Sequence, residues 1–374
     1  MRKFLLFMIE ATDFIPSKYS QTIESGNFQW SAPSNIALVK YWGKKDNQIP
    51  ANPSVSFTLN NCKTITKLAF AKKNTSTPVS ASNDTFSFDL LFEGKPKEDF
   101  KPKIQKFFER IEIYLPFLKD YHFTIDTENT FPHSSGIASS ASGMAALAMN
   151  LMSLEKALNP EMTDNYFYQK ASLLARLGSG SACRSVKGQV VVWGNHANIK
   201  GSSDLFGVEF PNAIHDNFKN FQDTILLVDK GEKQVSSTVG HDLMHDHPFA
   251  ERRFAQAHEN LDKLITIFEN GNVEEFIKVV ESEALTLHAM MMTSMPYFIL
   301  MKPNTLQIIN AIWKFRNDTK IPVCFTLDAG ANVHVLYPNN TKEKVLQFIA
   351  AELVGYCQNA QYICDEIGNG AIQS

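Results

Sequence analysis

The sequence predicts an α+β protein built as two domains, and three observations carry that expectation. At 374 residues the chain exceeds what one small core needs and suits two cores sharing an interface. Strand-like and helix-like segments mix along it without the strict βαβ alternation of a parallel sheet. A polar passage rich in Asn and Asp, 195–221, separates two such mixtures. The expected division is a lead-in over 1–27, a first domain over 28–215 and a second over 216–374.

In chain order, the lead-in is read as loosely attached. Its apolar run "FLLFMI" is broken by Glu10 and Asp13, and no small-residue cleavage site follows, so it is not a secretory signal. "SVSFTL" (54–59), "TITKLAFA" (64–71) and "FSFDLLF" (86–92) are rich in β-branched and aromatic residues between polar turns, and predict strands. "KPKIQKFFERIEIYL" (101–115) sets Ile104, Phe107, Phe108, Ile111 and Leu115 on one helical face. "YHFTIDT" (121–127) predicts a strand, 139–157 and 164–177 helices, and "GQVVVWG" (188–194) another strand. The second domain opens with a strand at 224–229. Helices at 248–270, 273–290 and 304–316 follow, then strands at 323–328 and 332–337, a helix at 342–354 and a last strand near "QYIC".

Composition narrows the function classes. With 36 basic against 39 acidic residues the net charge is −3, and no basic stretch exists to follow a nucleic-acid backbone. No apolar run approaches the roughly 20 residues that span a bilayer. Five cysteines in no paired spacing fit free thiols in a reducing compartment. The expectation is a cytoplasmic protein with no nucleic-acid or membrane partner.

Five stretches carry groups suited to chemistry. "FPHSSGIASSASGMAALA" (131–148) runs from a strand through Gly and Ser into a helix of small residues. Backbone N–H groups at such a helix start favour an anion, yet the chain has no G-x-x-x-x-G-K-[ST] and hence no P-loop lysine. The same stretch could serve close helix packing alone. "SAPSNIALVKYWGKKDN" (31–47) crowds Asn35, Lys40, Tyr41, Trp42 and Lys44 at a strand end; solvated lysines are the plainer reading, but Trp42 among cations is an odd choice for bare surface. "LGSGSACRS" (177–185) could be a helix C-cap, but that does not account for Arg184 arriving with Ser179 and Ser181. "KQVSST" (233–238) reads as loop. "FTLDAGANVHVLY" (325–337) puts Asp328 at a strand end, where starting the turn is its plainer use. In "GHDLMHDHPF" (240–249), His241, His245 and His247 suggest a metal cluster, but a charged helix N-terminus is the preferred reading. The Met-rich "HAMMMTSMPYF" (288–298) reads as core or as an apolar wall facing a ligand.

Together, "SNIALVKYWGKKD", "NPSVSFTL", "TENTFPHSSGIASSASG", "GSGSACRS", "KQVSST" and "TLDAGANVHVLY" resemble the galactokinase, homoserine kinase and mevalonate kinase superfamily of small-molecule kinases. Within it they resemble the diphosphomevalonate decarboxylases, in family order from about residue 31 to 340. The resemblance implies a ribosomal S5-like N-terminal domain and a ferredoxin-like C-terminal domain. It implies ATP and Mg²⁺ as cofactors, with no dedicated metal ligand assigned, and mevalonate 5-diphosphate as the small-molecule substrate. The implied reaction gives isopentenyl diphosphate, in the mevalonate pathway of isoprenoid biosynthesis. Carried over residue by residue, Gly136, Ser139 and Ser140 would meet ATP phosphates and Thr127 would lie near the base. Tyr41, Lys44, Ser179, Ser181 and Ser237 would take the substrate's diphosphate, with Asn35 in support. Arg184 would grip its carboxylate, Lys40 would flank the reacting centre, and Asp328 would be the catalytic carboxylate.

Two departures stand out. The loop reads "PHSSGIASS" where the family commonly has "PTAAGLASS", and Thr238 stands where some members carry arginine. Two other activities stay open at this level: a related enzyme acting on mevalonate 5-phosphate, and a kinase that stops after phosphorylation. A non-catalytic nucleotide-binding or nucleic-acid-binding module fits the residue set less well. The resemblance allows a homodimer, on which the sequence itself is silent.

Overall fold

The computed structural model describes residues 9–73, 86–132, 137–229 and 237–374. Its first half holds β1 (Ser25–Val39), β2 (Ser54–Lys72), β3 (Ser87–Phe92), β4 (Lys95–Pro96), α1 (Lys101–Ile111), β5 (Tyr121–Asn129), α2 (Ser139–Leu158), α3 (Asp164–Gly178), β6 (Val190–Trp193) and β7 (Val208–Glu209). The second half holds β8 (Gln222–Leu226), α4 (Ser237–Asp242), α5 (Ala250–Asn270), α6 (Val273–Thr293), α7 (Pro303–Thr319), β9 (Cys324–Thr326), β10 (Val333–Tyr337), α8 (Lys342–Phe348), β11 (Tyr362–Glu366) and β12 (Ile372–Gln373). One sheet runs β12-β1-β2-β5-β3-β4, with β6 on β2 and β7 on β6; the other runs β11-β8-β10-β9. Only the β3–β5 pairing is parallel among the described strands. This is an α+β fold, and none of its described helices is long and apolar enough to cross a membrane.

Four apolar interiors hold the described residues together, the smallest gathering Trp42, Met244, Leu287 and Met291. Phe107 and Phe108 of α1, Leu151 of α2 and Leu174 of α3 pack on Phe123 of the first sheet. Val55 and Phe57 of β2 pack with Leu261 and Phe268 of α5, Phe276 of α6 and Ile225 of β8, so one interior runs continuously from the first sheet into the second half. Ile308 and Ile312 of α7 and Phe348 of α8 cover Val335 on the second sheet.

Several expectations are corrected here. The two strands anticipated at 54–59 and 64–71 are one. The polar "NNCK" between them does not end the strand, because the Asp365 carboxylate accepts the N–H groups of Asn60, Asn61 and Cys62 at 2.7–2.9 Å. Helix α1 stops at Ile111, short of 115: Pro116 excludes helical geometry from the residue before it, and Leu115 sits at φ −133°. The lead-in is not loose over its described part. Phe14 is buried against Tyr166 and Phe206, and the Ser20 and Gln21 N–H groups donate to the Leu158 carbonyl that ends α2. The chain's last strand, β12, returns to pair with β1.

Candidate active site

Strand β1 ends at Val39, and the next residue turns inward. Lys40 is 1% exposed, and its Nζ lies 3.1 Å from Asp328 Oδ1. Asp328 follows β9 in a tight turn closed by Gly330 N–H donating to the Asp328 carbonyl at 2.7 Å. Its side chain keeps about a third of its surface open (32%), so the pair has one closed end and one open end. Burial pulls the Lys40 ammonium below its ordinary pKa, and the Asp328 charge opposes that shift.

The main chain of Lys40 is held on both sides. Its N–H donates to Glu283 Oε2 at 2.9 Å, and its carbonyl accepts from Arg253 Nη2 at 3.0 Å and Asn52 Nδ2 at 2.9 Å. Arg253 of α5 and Glu283 of α6 form a fully buried fork, Nη1 to Oε1 at 3.0 Å and Nη2 to Oε2 at 2.5 Å, with Asn260 Nδ2 also on Oε1 at 2.7 Å. Five residues along α6, His288 Nε2 meets the Asp328 carbonyl at 3.1 Å. A carbonyl only accepts, so that nitrogen carries the proton. Burial pushes His288 down to about 4, so the ring is neutral.

Arg184 lies buried beside the pair. Its Nε donates to Ser56 Oγ at 2.5 Å and its Nη1 to Ser54 Oγ at 2.6 Å, while the guanidinium sits 5.7 Å above the Trp193 ring. Among the described residues Nη2 has no acceptor, which leaves it for a ligand. Asn35 stands behind the 180–185 turn, its amide donating to Ser185 Oγ at 2.8 Å and the Ser181 carbonyl at 3.2 Å. Tyr41 is wedged against Trp193 and His241, and its buried hydroxyl has no hydrogen-bond partner among the described residues. Lys44 pairs with Asp242 at 3.2 Å.

These groups surround a cleft of about 340 Å³, whose wall includes Lys40, Tyr41, Lys44, Ser140, Ser179, Ser181, Arg184 and Asp328. Lys103, His241 and Leu287 also line it. Four cations face one carboxylate in that wall, which suits a polyanionic ligand. A second cavity of about 290 Å³ adjoins the first and shares Ser140 and Lys103 with it. Leu90, Phe92, Ile104, Ile125, Met144 and Leu147 make its apolar sides, and Thr127, Asn129 and Ser139 lie on its rim. Helix α2 begins between the two. Ala138, the residue before it, adopts left-handed φ 41°, ψ 36°, a geometry costing a non-glycine residue about 1–2 kcal/mol and typical of strain kept at functional sites.

The structure therefore brings Lys40, Tyr41, Lys44, Ser140, Ser179, Ser181, Arg184 and Asp328 to one cleft, and Thr127, Ser139 and Ser140 to its neighbour. Asn35 supports a wall instead of lining it. Ser237 opens α4; Gly136 and the 233–236 part of "KQVSST" lie outside the described residues. The reading of "GHDLMHDHPF" as a charged helix N-terminus is corrected. Helix α4 ends at Asp242 and α5 begins at Ala250; His241 is in the cleft wall, and His247 is buried with Nε2 3.1 Å from the Met290 carbonyl. No group of three or more His, Cys, Asp or Glu able to hold a metal exists among the described residues. Sequence reasoning missed Lys103, Arg253, Glu283 and His288. Only Lys103 had a visible signal, as a cation in the first turn of a helix.

Known proteins match the chain along most of its length. Residues 32–204 match the diphosphomevalonate decarboxylase-like N-terminal domain, and residues 224–370 the mevalonate 5-diphosphate decarboxylase C-terminal domain. The chain is 30% identical to the diphosphomevalonate decarboxylase of Debaryomyces hansenii over 336 residues, 85% of this chain and 81% of that protein. It superposes with a TM-score of 0.77 on mevalonate diphosphate decarboxylase from Staphylococcus aureus, at 27% identity over 94% of this chain and 98% of that one. It matches equally the structure of MDDEF in complex with MVAPP, AMPPCP and magnesium, with TM-score 0.77 and 27% identity over 94% and 99% of the two chains.

Proposed function

The chain belongs to the diphosphomevalonate decarboxylase family, and from that premise we propose that it converts mevalonate 5-diphosphate to isopentenyl diphosphate with ATP and Mg²⁺. The observation that carries the proposal is the pairing of buried Lys40 with half-open Asp328 at 3.1 Å, facing a cation-lined cleft that adjoins an apolar, hydroxyl-rimmed slot. Such a slot suits a nucleotide base, and the start of α2 between the cavities suits its phosphates. The relative solved with MVAPP, AMPPCP and magnesium supports the same ligand set. With no cluster of ligating side chains among the described residues, Mg²⁺ would be held chiefly by phosphate oxygens, with Asp328 the carboxylate within reach in the cleft wall.

The residue types follow from the chemistry. Hydroxide leaves carbon poorly, so ATP–Mg²⁺ supplies the phosphoryl group that turns the tertiary C3 hydroxyl into a leaving group. Asp328 orients that hydroxyl and receives its proton as the oxygen bonds phosphorus. Lys40, fixed beside it, offsets the negative charge that gathers during transfer. Arg184 offers its spare Nη2 to the substrate carboxylate, holding the C–C bond whose electrons become the new double bond. As the C3–O bond breaks to release phosphate, CO₂ departs. Tyr41, Lys44, Ser179, Ser181 and Ser237 bind the diphosphate, and the buried Tyr41 hydroxyl finds there the acceptor it otherwise lacks. Gly136, Ser139 and Ser140 serve the ATP phosphates, Thr127 lies near the base, and Asn35 stiffens the wall.

The test is incubation with ATP, Mg²⁺ and, separately, mevalonate, its 5-phosphate and its 5-diphosphate, following CO₂ and ADP. Equal release of both from the diphosphate alone is expected. ADP without CO₂ selects a kinase, and turnover of the monophosphate selects the related enzyme. The division near residue 215, a cytoplasmic location and a homodimer belong to the same proposal. Light scattering tests the last of these.

A further inference from the structure

Three consecutive residues of "KYWGK" dock onto three consecutive residues of α4. Trp42 meets Gly240, where a Cβ would come within 2.5 Å of the indole. Gly43, at φ +97°, aims its N–H at His241 Nδ1 at 3.0 Å. Lys44 pairs with Asp242 at 3.2 Å. The His241 ring is held between Tyr41 and Trp42, at centroid distances of 4.1 and 4.7 Å. An amide can only donate, so Nδ1 of His241 carries the lone pair and Nε2 the proton. Burial, with Lys44 and Arg184 nearby, pushes the imidazole down to about 3, which keeps this tautomer neutral throughout the working pH range.

The ring thus stands in the cleft wall, oriented by its Nδ1 contact and its stacking, with an N–H that no hydrogen bond among the described residues uses. We propose that His241 is a substrate-binding residue whose Nε2–H donates to a phosphate oxygen of the substrate's diphosphate. The proposal deepens, and rests on, the function given above. Asp242 already balances part of the Lys44 charge, so a neutral donor beside that lysine adds directional binding without adding repulsion among the four cations of the wall.

Two substitutions separate the ring's two nitrogens. His241→Asn retains an oxygen for Gly43 N–H and removes the donor at the Nε2 position. His241→Gln places an amide N–H near that position. Binding of inorganic pyrophosphate and of mevalonate 5-diphosphate is measured by titration calorimetry, alongside KM and kcat. H241N is expected to weaken both ligands, and raise KM, about ten-fold or more, with the loss falling on KM rather than kcat; H241Q recovers most of it. H241F, which retains the stacking, gives the same reading should H241N not fold. Wild-type affinity in H241N or H241F overturns the proposal. A wild-type protein that does not turn over the diphosphate overturns the underlying function instead, so the two failures are distinguishable.

Discussion

Replacing Glu283 by alanine tests whether the geometry at Lys40 is imposed from α6. The carboxylate accepts four hydrogen bonds, from Lys40 N–H, both Arg253 terminal nitrogens and Asn260. Removing it leaves a buried guanidinium uncompensated, and Arg253 Nε has no partner among the described residues to begin with. Breaking such a pair from one side costs about 3–5 kcal/mol, a large share of the roughly 5–15 kcal/mol that holds an ordinary domain folded. Lys40 also loses the acceptor for its N–H, and a displacement of about 1 Å at a reacting group costs on the order of 100-fold in rate. Urea unfolding followed by tryptophan fluorescence measures the first effect, and CO₂ release the second. The double variant Arg253→Met, Glu283→Leu separates them: with no orphaned charge it recovers stability relative to E283A, but it does not recover turnover. An E283A protein within about 1 kcal/mol of wild type, at full kcat, refutes the reasoning. So does full turnover by the double variant.

Three further outcomes are expected. Asp328→Asn lowers kcat by at least about 100-fold, the lower bound for losing a general base, while nucleotide binding measured by calorimetry persists; retained turnover removes Asp328 from the chemistry. Lys40 acts as a cation and is deprotonated as pH rises through a value that burial sets below 10.5, so kcat/KM falls on the alkaline side earlier than an exposed lysine would dictate. Lys40→Arg, which does not titrate there, shifts that limb upward, and an unmoved limb assigns it to another group. His241 and His288 titrate near 3 and 4 when folded, against 6.5 ordinarily. Below pH 6.5 the unfolded chain therefore binds protons that the folded chain refuses. Stability is complete above that pH and declines toward pH 4 by up to about 1.4 kcal/mol per pH unit for each ring; equal urea midpoints at pH 7.5 and pH 5 would contradict this.

Much of the fold was legible because local chemistry and tertiary structure agree. The start of α2 at Ser139 follows from small residues after a strand, and α5 and α6 from apolar periodicity bounded by Gly271 and Asn272. Lys40, Arg184 and Asp328 could each be singled out, but the likeness of the whole motif set to a family, not spacing, suggested that they converge. What escaped was set by burial from afar. "ESEALTLH" reads as a helix with solvated acidic positions, and nothing local marks Glu283 as fully enclosed or His288 as bonded to a loop 40 residues on. His241 was misjudged for a related reason. Its neighbours in sequence are charged, whereas its neighbours in space are two aromatic rings and a glycine N–H.

Helix α6 grips Lys40 through Glu283, touches the cleft with Leu287 and holds the Asp328 carbonyl through His288. Its six-residue span from Glu283 to His288 acts as a jig for partners encoded almost 290 positions apart. Hybrid genes joining the front of one relative to the back of another would inherit halves that fold yet mis-seat the lysine, unless residues 40, 253, 283, 288 and 328 travel as a set. Gene shuffling of this enzyme should therefore respect that linkage group and not the seam between its sheets.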